Sequence, residues 1–203
     1  MIRAFFNDIA QRIITADKLE QRRYLSNIVK TLNINSGFRV LDFGCGTGLF
    51  SRVFTKTGIV YTGYDIDREL IVYGRRINKG CFFTSSMEEL RKLELFDMVL
   101  VNCCFHHIND NNLLEELAHI RSLLLDNGIL IIIDIVRAEK EMNPFCSIFK
   151  FLEKGEHVRS VDEYRKYAGK YFKLKQQSFI RSHLFSIKNF FIYNNLVMLV
   201  CEK

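Results

Sequence analysis

The sequence predicts an α/β fold in which helices cover both faces of a mostly parallel sheet. Two observations support this prediction. From residue 39 onward, short apolar runs alternate with longer segments whose apolar residues recur at helical spacing, which is the pattern of repeated β-α-β units. The run ILIII at residues 129–133 is continuously apolar, as expected for a strand that is buried on both faces.

The predicted elements follow one another through the middle of the chain. Five apolar runs are predicted strands, and they lie at residues 39–43, 60–65, 81–84, 97–102 and 129–134. Four segments between them are predicted helices, and they lie at residues 49–56, 68–78, 87–93 and 112–125. Each of the first four strands is thus followed by a helix, as parallel strands require of their connections.

Segments on both sides extend this core. Residues 4–32 are predicted to form one or two amphipathic helices, with apolar positions at Phe5, Ile9, Ile13, Leu25, Ile28 and Leu32. The sequence SVDE at residues 160–163 has the spacing of a capping box and predicts the start of another helix. Strand-like segments near residues 172–180 and 196–201 are predicted to pair antiparallel at one edge of the sheet.

Composition narrows the class of protein. The 203 residues are 48% hydrophobic and 26% charged and include one proline, which is typical of a globular chain. Arg3, Asp8 and Arg12 interrupt the opening residues, so these are no signal peptide, and the longest apolar runs fall short of the roughly 20 residues that cross a bilayer. Six cysteines without zinc-site spacing predict reduced thiols. We therefore expect a cytoplasmic protein.

The net charge of +6 comes entirely from the last third of the chain. Residues 137–203 carry 13 Lys and Arg against 7 Asp and Glu, whereas residues 1–136 carry 16 of each. Such asymmetry indicates either an anionic partner or a solvated basic face. Aromatic residues are not interleaved with the basic ones as base stacking requires, so nucleic acid is not expected as a partner.

The stretch VLDFGCGTG at residues 40–48 places three glycines in five positions directly after a predicted strand. Leu49 occupies the third glycine position of the GxGxxG pattern of dinucleotide sites, and the Gly-Lys-Ser/Thr of a P-loop is absent. No basic residue lies between Asp42 and Phe50. A pyrophosphate would meet a carboxylate and no cation there, whereas a ligand with ammonium and sulfonium groups would meet a favourable field.

VLDFGCGTG resembles the first motif of class I S-adenosylmethionine-dependent methyltransferases. Later segments resemble that family's further motifs in its order, namely TGYDID, FFTSSMEEL, FDMVLVNCCFHHI, LAHIRSLLLDNGILIIIDI with Asn127-Gly128 as its turn, and EHVRSVDEYRKY. The resemblance implies a seven-stranded sheet in a single domain over residues 1–203. Its implied parts are helices at residues 1–38, a cofactor-binding core at 39–136, a substrate lid at 137–159, and a helix with the last two strands at 160–203.

The resemblance also implies a site for S-adenosylmethionine, which would leave as S-adenosylhomocysteine. The implied residues are Asp42, Phe43, Gly44, Cys45, Gly46, Gly48, Asp65, Ile66, Ser86, Met87 and Asn102. The glycines would let the backbone approach the ligand, and Asp42 would hold the loop or the amino group. Asp65 would accept hydrogen bonds from both ribose hydroxyls or cap the following helix. Ile66 would pack on adenine, Ser86 would face adenine's polar edge or cap the next helix, and Asn102 would close the pocket.

Candidate catalytic residues follow the fourth predicted strand, in the sequence NCCFHH at residues 102–107. His106 and His107 are candidates for the base that removes a proton from a hydroxyl acceptor, and either could instead serve packing. No proline precedes Cys104, which argues against a covalent cysteine mechanism, and NCCF lacks the prolines of enzymes that methylate base amines. The carboxylates after the fifth strand lack the Asp-Asn pair of metal-dependent members, so we predict no metal.

The sequence thus predicts methyl transfer to a small-molecule acceptor of metabolite, lipid-like or natural-product type. Aromatic residues of the predicted lid favour an apolar acceptor, and Lys150, Lys154 and Arg159 favour negative charge on it. A methyltransferase acting on RNA or protein is the alternative enzyme, and a cofactor-binding regulatory subunit is the alternative without catalysis. A monomer or a homodimer is expected.

Overall fold

The computed structural model describes residues 16–31, 34–55, 58–137, 156–187 and 190–203. Its strands are β1 (Arg39–Phe43), β2 (Val60–Tyr64), β3 (Phe82–Thr84), β4 (Phe96–Asn102), β5 (Leu124–Ile135), β6 (Lys173–Ile187) and β7 (Phe190–Glu202). Its helices are α1 (Ala16–Thr31), α2 (Ser51–Thr55), α3 (Arg68–Ile77), α4 (Met87–Arg91), α5 (Asp110–Leu123) and α6 (Val161–Ala168), with a 3₁₀ turn at Phe105–His107.

The seven strands form one sheet in the order β3-β2-β1-β4-β5-β7-β6. Strands β1 to β5 pair in parallel, and β7 runs antiparallel to both β5 and β6. The predicted fold class, including the antiparallel pair at one edge, is confirmed. None of the described helices is long and apolar enough to cross a membrane.

Two hydrophobic layers pack on the sheet, one on each face, because successive side chains of a strand point to opposite sides. On one face Leu41 and Val99 pack with Leu117 of α5 and Tyr164 of α6. The other layer includes Val40 of β1, Leu100 of β4, Leu25 of α1, Phe54 of α2 and Ile71 of α3. Burial on both faces is why the central strands read as continuous apolar runs.

The edge of the sheet at which β1 and β4 end positions the candidate site. The chain passes from β1 to β2 and β3, and then crosses to the other side of β1 to form β4. Ligands of open α/β sheets bind at such a switch point, outside the carboxyl ends of the strands. Gly44 follows β1 at this edge, and Cys103 follows β4.

Side-chain caps fix where four of the described helices begin, and the cap of α5 is Asn109. Ser160 accepts from the backbone N–H of Glu163, and the Glu163 carboxylate accepts from the backbone N–H of Ser160, so the predicted capping box is confirmed. Ser86 caps α4, which is the capping alternative stated for it. Asp67, rather than Asp65, caps α3.

Strand β5 begins five residues earlier than predicted. Phe96 pairs with Leu124 and Met98 pairs with Ile129. Between these two pairs one residue of β4 lies opposite four residues of β5, and the extra residues form an irregularity within the strand. The prediction that Asn127-Gly128 is a turn ahead of this strand is therefore wrong. The backbone N–H of Lys203 donates to the Gly128 carbonyl, which holds this segment at the sheet.

Several predictions fall on residues that the structure does not describe. They are the apolar helix positions Phe5, Ile9, Ile13 and Leu32, and residues 138–155 of the predicted lid. The described residues on either side of residues 138–155 lie close together, since the N–H of Arg137 donates to the carbonyl of Arg159 at 2.9 Å.

Candidate active site

The three glycines of the loop after β1 all have left-handed backbone, with φ of +75° at Gly44, +56° at Gly46 and +73° at Gly48. Any side chain is strained in this region. At Gly44 an added Cβ would also lie 2.3 Å from the Sγ and 2.8 Å from the Cβ of Cys104. Glycine is therefore required there by the close approach of the loop to the residues that follow β4.

Strand β2 and the residue after it hold the glycine loop in place. The N–H groups of Gly44 and Cys45 donate to the Tyr64 carbonyl at 2.8 and 3.0 Å. The N–H of Gly46 donates to Oδ2 of Asp65 at 2.8 Å. The structure thus brings together two residues that the sequence placed in one site.

The Asp65 carboxylate joins the glycine loop to the segment that leads into α3. Its Oδ1 accepts from the N–H of Asp67 at 2.9 Å. Burial raises the pKa of Asp65, and the two backbone donors offset part of that rise. A carboxylate has about four acceptor sites, and these two amides use two of them. The group therefore retains acceptor capacity for two further donors, such as vicinal hydroxyls.

The predicted adenine contacts lie beside Asp65. Ile66 is 84% exposed, so a large apolar side chain is available for a flat ring to cover. Ser86 and Met87 follow β3, which the Asp65 N–H contacts through the Thr84 carbonyl at 3.3 Å. The Ser86 oxygen accepts from α4, which leaves its O–H able to donate.

Asp42 is held by a partner that sequence reasoning missed. Its side chain is buried, and the Tyr61 hydroxyl donates to its Oδ2 at 2.6 Å. Burial and the nearby Asp42 charge raise the pKa of Tyr61 well above its usual value, so the phenol remains a donor. The strand register offers a signal for this pair, since Val40 lies opposite Tyr61 and residues two apart share a face.

We expect Tyr61→Phe to lower the free energy of unfolding by about 1–3 kcal/mol, because the buried Asp42 carboxylate loses a donor. Urea denaturation measures this change. Tyr64→Phe is the matched control on the same strand, since Tyr64 is only half-buried, and a loss under about 0.5 kcal/mol is expected. Equal losses in the two variants would contradict the role given to Tyr61.

Asp134 at the end of β5 pairs with one of the two candidate histidines. Its Oδ1 lies 2.5 Å from Nδ1 of His106, and both side chains are buried. Oδ1 also accepts from the N–H of Ile135 at 2.8 Å. A carboxylate can only accept at Nδ1, so in the neutral imidazole the proton lies on Nδ1 and the lone pair on Nε2. The sequence signal for this pair is that β4 and β5 end side by side.

His107 differs from His106 in its surroundings. It is exposed, and its ring centroid lies 4.0 Å from that of His106. The structure therefore places both candidate bases at the end of β4 but gives the buried carboxylate to His106.

Carboxylates make the electrostatic field at this edge negative. Burial raises the pKa of the Cys104 thiol well above its usual value, and the charges of Asp134, Asp65 and Asp42 raise it further. Burial, and then the charges of Asp42 and Asp65, also raise the pKa of the Cys45 thiol well above its usual value. Both thiols stay protonated at neutral pH, which agrees with a non-nucleophilic Cys104. The field favours a cationic ligand.

The remaining predicted site residues line the ends of β1 and β4. Phe43 is buried with its ring 5.0 Å from that of Tyr64, so its side chain belongs to the core. Asn102 ends β4 and is buried. Cys103 has a φ of +51°, which is strained for a residue with a side chain and turns the chain so that Cys104 contacts the glycine loop.

Two further observations concern the surroundings of the site. Among the described residues, no group of three or more His, Cys, Asp or Glu is arranged to hold a metal ion. A surface groove of about 620 Å³ lies at the β3 edge and is lined by Arg75, Cys81, Phe82, Phe83, Glu89 and Lys92. It contains none of the predicted site residues.

The sheet order and the glycine-loop site define a Rossmann-like fold of the class I methyltransferase type. A family profile described as a methyltransferase domain matches residues 16–176. This range includes the glycine loop, Asp65 and the pair of His106 and Asp134. The chain belongs to the methyltransferase domain family.

Named relatives and a solved structure agree with this membership. Demethylmenaquinone methyltransferase of Tropheryma whipplei (strain Twist) is 25% identical over 158 residues, which are 73% of this chain and 64% of the relative. Ubiquinone biosynthesis O-methyltransferase of Bradyrhizobium sp. (strain ORS 278) is 35% identical over 86 residues, 40% of this chain and 34% of the relative. The chain thus spans less than two thirds of these relatives.

The solved structure is that of magnesium protoporphyrin IX methyltransferase from Synechocystis PCC 6803 with bound SAH. It superimposes with a TM-score of 0.67 over 98% of this chain and 94% of that chain, at 17% sequence identity. At this identity the similarity establishes the fold.

Proposed function

We propose that the chain binds S-adenosylmethionine at the glycine loop and transfers its methyl group to a small-molecule acceptor, with S-adenosylhomocysteine as the product. The observation that carries this proposal is the Asp65 carboxylate bound to the N–H of Gly46 at 2.8 Å, next to a loop without basic residues. A sulfonium and an ammonium suit this field, whereas a pyrophosphate does not.

In this proposal, different residues of the chain contact different parts of the cofactor. Asp65 would accept from the ribose hydroxyls, Ile66 would cover adenine, and Ser86 would donate to an adenine nitrogen. The backbone of Gly44, which is partly exposed, would face the methionine portion, and Asn102 would close the pocket from β4. When bound, the cofactor supplies an activated methyl group on its sulfonium.

His106 serves as the base for a hydroxyl acceptor in this proposal. Its Nε2 would take the proton of the acceptor hydroxyl, and the Asp134 carboxylate would stabilise the imidazolium that forms. Asp134 also holds the ring in one tautomer through Nδ1. A hydroxyl acceptor is supported by the relative named as an O-methyltransferase.

The acceptor is proposed to be small and apolar apart from its reacting hydroxyl. Arg159, which suggested an anionic acceptor, has its guanidinium engaged within the protein. Among the described residues of the basic tail, residues 137–203, five cations have a side-chain nitrogen within 4.0 Å of a carboxylate oxygen, namely Arg137, Arg159, Arg165, Lys175 and Lys203. This pairing supports a solvated basic face rather than a nucleic-acid surface. A cytoplasmic monomer or homodimer stays a prediction.

Incubation with cofactor carrying a labelled methyl group tests the proposal. Hydroxylated aromatic small molecules, total RNA and a protein extract are offered separately, and we expect label in the small molecules. Label in RNA or protein would replace this acceptor class with a macromolecule. Tight cofactor binding without transfer to any fraction would favour a regulatory subunit.

We expect Asp65→Ala to weaken cofactor binding by about 1.5–3 kcal/mol, because charge-assisted hydrogen bonds to the ribose are lost. Titration calorimetry measures the affinity. Asp67→Ala is the control two residues away, since it removes the α3 cap and costs about 1 kcal/mol of stability but keeps the Asp65 carboxylate and the backbone N–H that donates to it. Unchanged affinity in Asp65→Ala, or equal losses in both variants, would refute the ribose assignment.

A further inference from the structure

Given the proposed function, we infer that Arg159 is a positioning residue for His106, which acts by clamping the loop that carries the imidazole to the end of β5. The residue is the last of the predicted lid and lies 53 positions beyond His106 in the chain. Its role rests on where its donors go and on where its backbone is attached.

The Arg159 side chain is 3% exposed, and its guanidinium is engaged on every side. Nε and Nη2 donate to Oδ1 of Asp110 at 3.0 and 2.7 Å. Nη1 donates to the carbonyls of Phe105 at 2.8 Å and His157 at 3.2 Å, and Nη2 also donates to the carbonyl of Ile108 at 2.6 Å. Arginine has five N–H donors, and these five bonds account for all of them. The group therefore serves the protein rather than an acceptor anion.

Three of these acceptors surround the candidate base. The carbonyl of Phe105 comes directly before His106, the carbonyl of Ile108 closes the 3₁₀ turn, and Asp110 begins α5. The Arg159 guanidinium thus binds both ends of the 3₁₀ turn that contains His106. The neighbouring residue adds a further tie, because the N–H of His157 donates to the carbonyl of His106 at 3.0 Å.

The backbone of Arg159 is bonded to the segment that follows Asp134, the partner of His106. Arg159 forms a parallel bridge with Val136, and its carbonyl accepts from the N–H of Arg137 at 2.9 Å. Val136 stands two residues after Asp134 on the same stretch of chain. Arg159 therefore links Asp134 and His106 through its main chain on one side and its side chain on the other. It fixes the relative position of the two partners.

Two tyrosine rings lie close to the Arg159 guanidinium. The guanidinium carbon lies 5.9 Å from the ring centre of Tyr164 and 5.6 Å from that of Tyr167, within the range of cation–π attraction. The hydrogen bonds from Arg159 lower the pKa of Asp110, so the ion pair persists well below neutral pH. A lysine has three donors and no planar fork, so it can preserve the charge but not the set of bonds.

Arg159→Lys tests the inference in the full-length chain, with a readout that does not need activity. The ¹⁵N signals of histidine-labelled protein report the tautomer, and the spectrum of His106→Gln assigns the His106 signal. We expect the wild type to show protonated Nδ1 and unprotonated Nε2, and Arg159→Lys to show averaged tautomers. Where an acceptor is known, kcat should fall about 100-fold with KM and cofactor affinity within about twofold.

Arg137→Ala is the matched control. It removes an exposed side chain that donates to the Val158 carbonyl and lies 3.8 Å from the Glu163 carboxylate, but it keeps the backbone bond to Arg159, so it should keep the wild-type tautomer. A raised KM with unchanged kcat in Arg159→Lys would instead assign Arg159 to acceptor binding. An unchanged tautomer would overturn the inference, whether or not the wild type transfers a methyl group. If Arg159→Lys does not fold, Asp110→Ala takes its place, because it removes two of the five bonds from the exposed side. Averaged tautomers of His106 in this variant would support the inference, and an unchanged tautomer would overturn it.

Discussion

Gly44→Ala is expected to lower the free energy of unfolding by about 2–5 kcal/mol. About 1–2 kcal/mol comes from placing a side chain in left-handed backbone, and about 1–3 kcal/mol comes from overpacking. The new Cβ would lie 2.3 Å from Sγ and 2.8 Å from Cβ of Cys104. Because the Cβ of Cys104 is also in the way, no rotation of its side chain relieves the collision. Denaturant unfolding and cofactor calorimetry measure the loss and its effect on the loop.

Two further variants separate the backbone strain from the collision. Gly80 has a φ of +87°, and a Cβ added there would meet no atom within 4 Å beyond the adjacent residues, so Gly80→Ala should show the strain alone. Cys104→Gly removes both colliding atoms, and in the double variant it should recover about 1–3 kcal/mol relative to additivity. A Gly44→Ala loss no larger than that of Gly80→Ala would mean that the loop does not pack on Cys104.

Asp134→Asn is expected to lower turnover by about 100- to 10,000-fold while the protein stays folded. The amide has the shape of the carboxylate but no charge to stabilise the imidazolium, and its NH₂ group can favour the wrong tautomer of His106. Single-turnover methyl transfer at saturating acceptor measures the effect, and thermal melting shows that the fold persists.

The two histidines provide the comparison for this prediction. His106→Gln should lose activity to a similar extent as Asp134→Asn, and the double variant should lose little more, since the pair acts as a unit. His107→Ala should stay within about threefold of the wild type, because its side chain is exposed and the buried carboxylate belongs to its neighbour. A full loss in His107→Ala with normal turnover in Asp134→Asn would move the role of base to His107.

The field at the switch point explains how one fold selects among nucleotide ligands. Dinucleotide-binding sheets place a pyrophosphate at the same turn, and the topology by itself does not distinguish the two. In this chain Asp42 and Asp65 lie near enough to Cys45 to raise the pKa of its thiol. A cationic ligand gains from that field, and a dianionic one loses.

Local features were predictable because they depend on residues close in sequence. The predicted bounds of β1 match the structure, and those of β2 and α3 differ by one residue, since apolar periodicity and flanking glycines mark them. The capping box at Ser160 was predictable from the four residues SVDE. The start of β5 was not, because the irregularity opposite Phe96 depends on pairing with another strand.

The sequence by itself determined the fold class, the loop with three glycines, its family and the carboxylate after β2. Periodicity, turn chemistry and motif order are local properties, and each can be read without knowing what lies across the sheet. The tertiary structure alone decided that Tyr61 holds Asp42, that Cys104 closes on Gly44, that Asp134 selects His106, and that Arg159 joins the last two. These partners are separated by 19 to 60 residues, and only the strand order and the register of the sheet bring their side chains within contact distance.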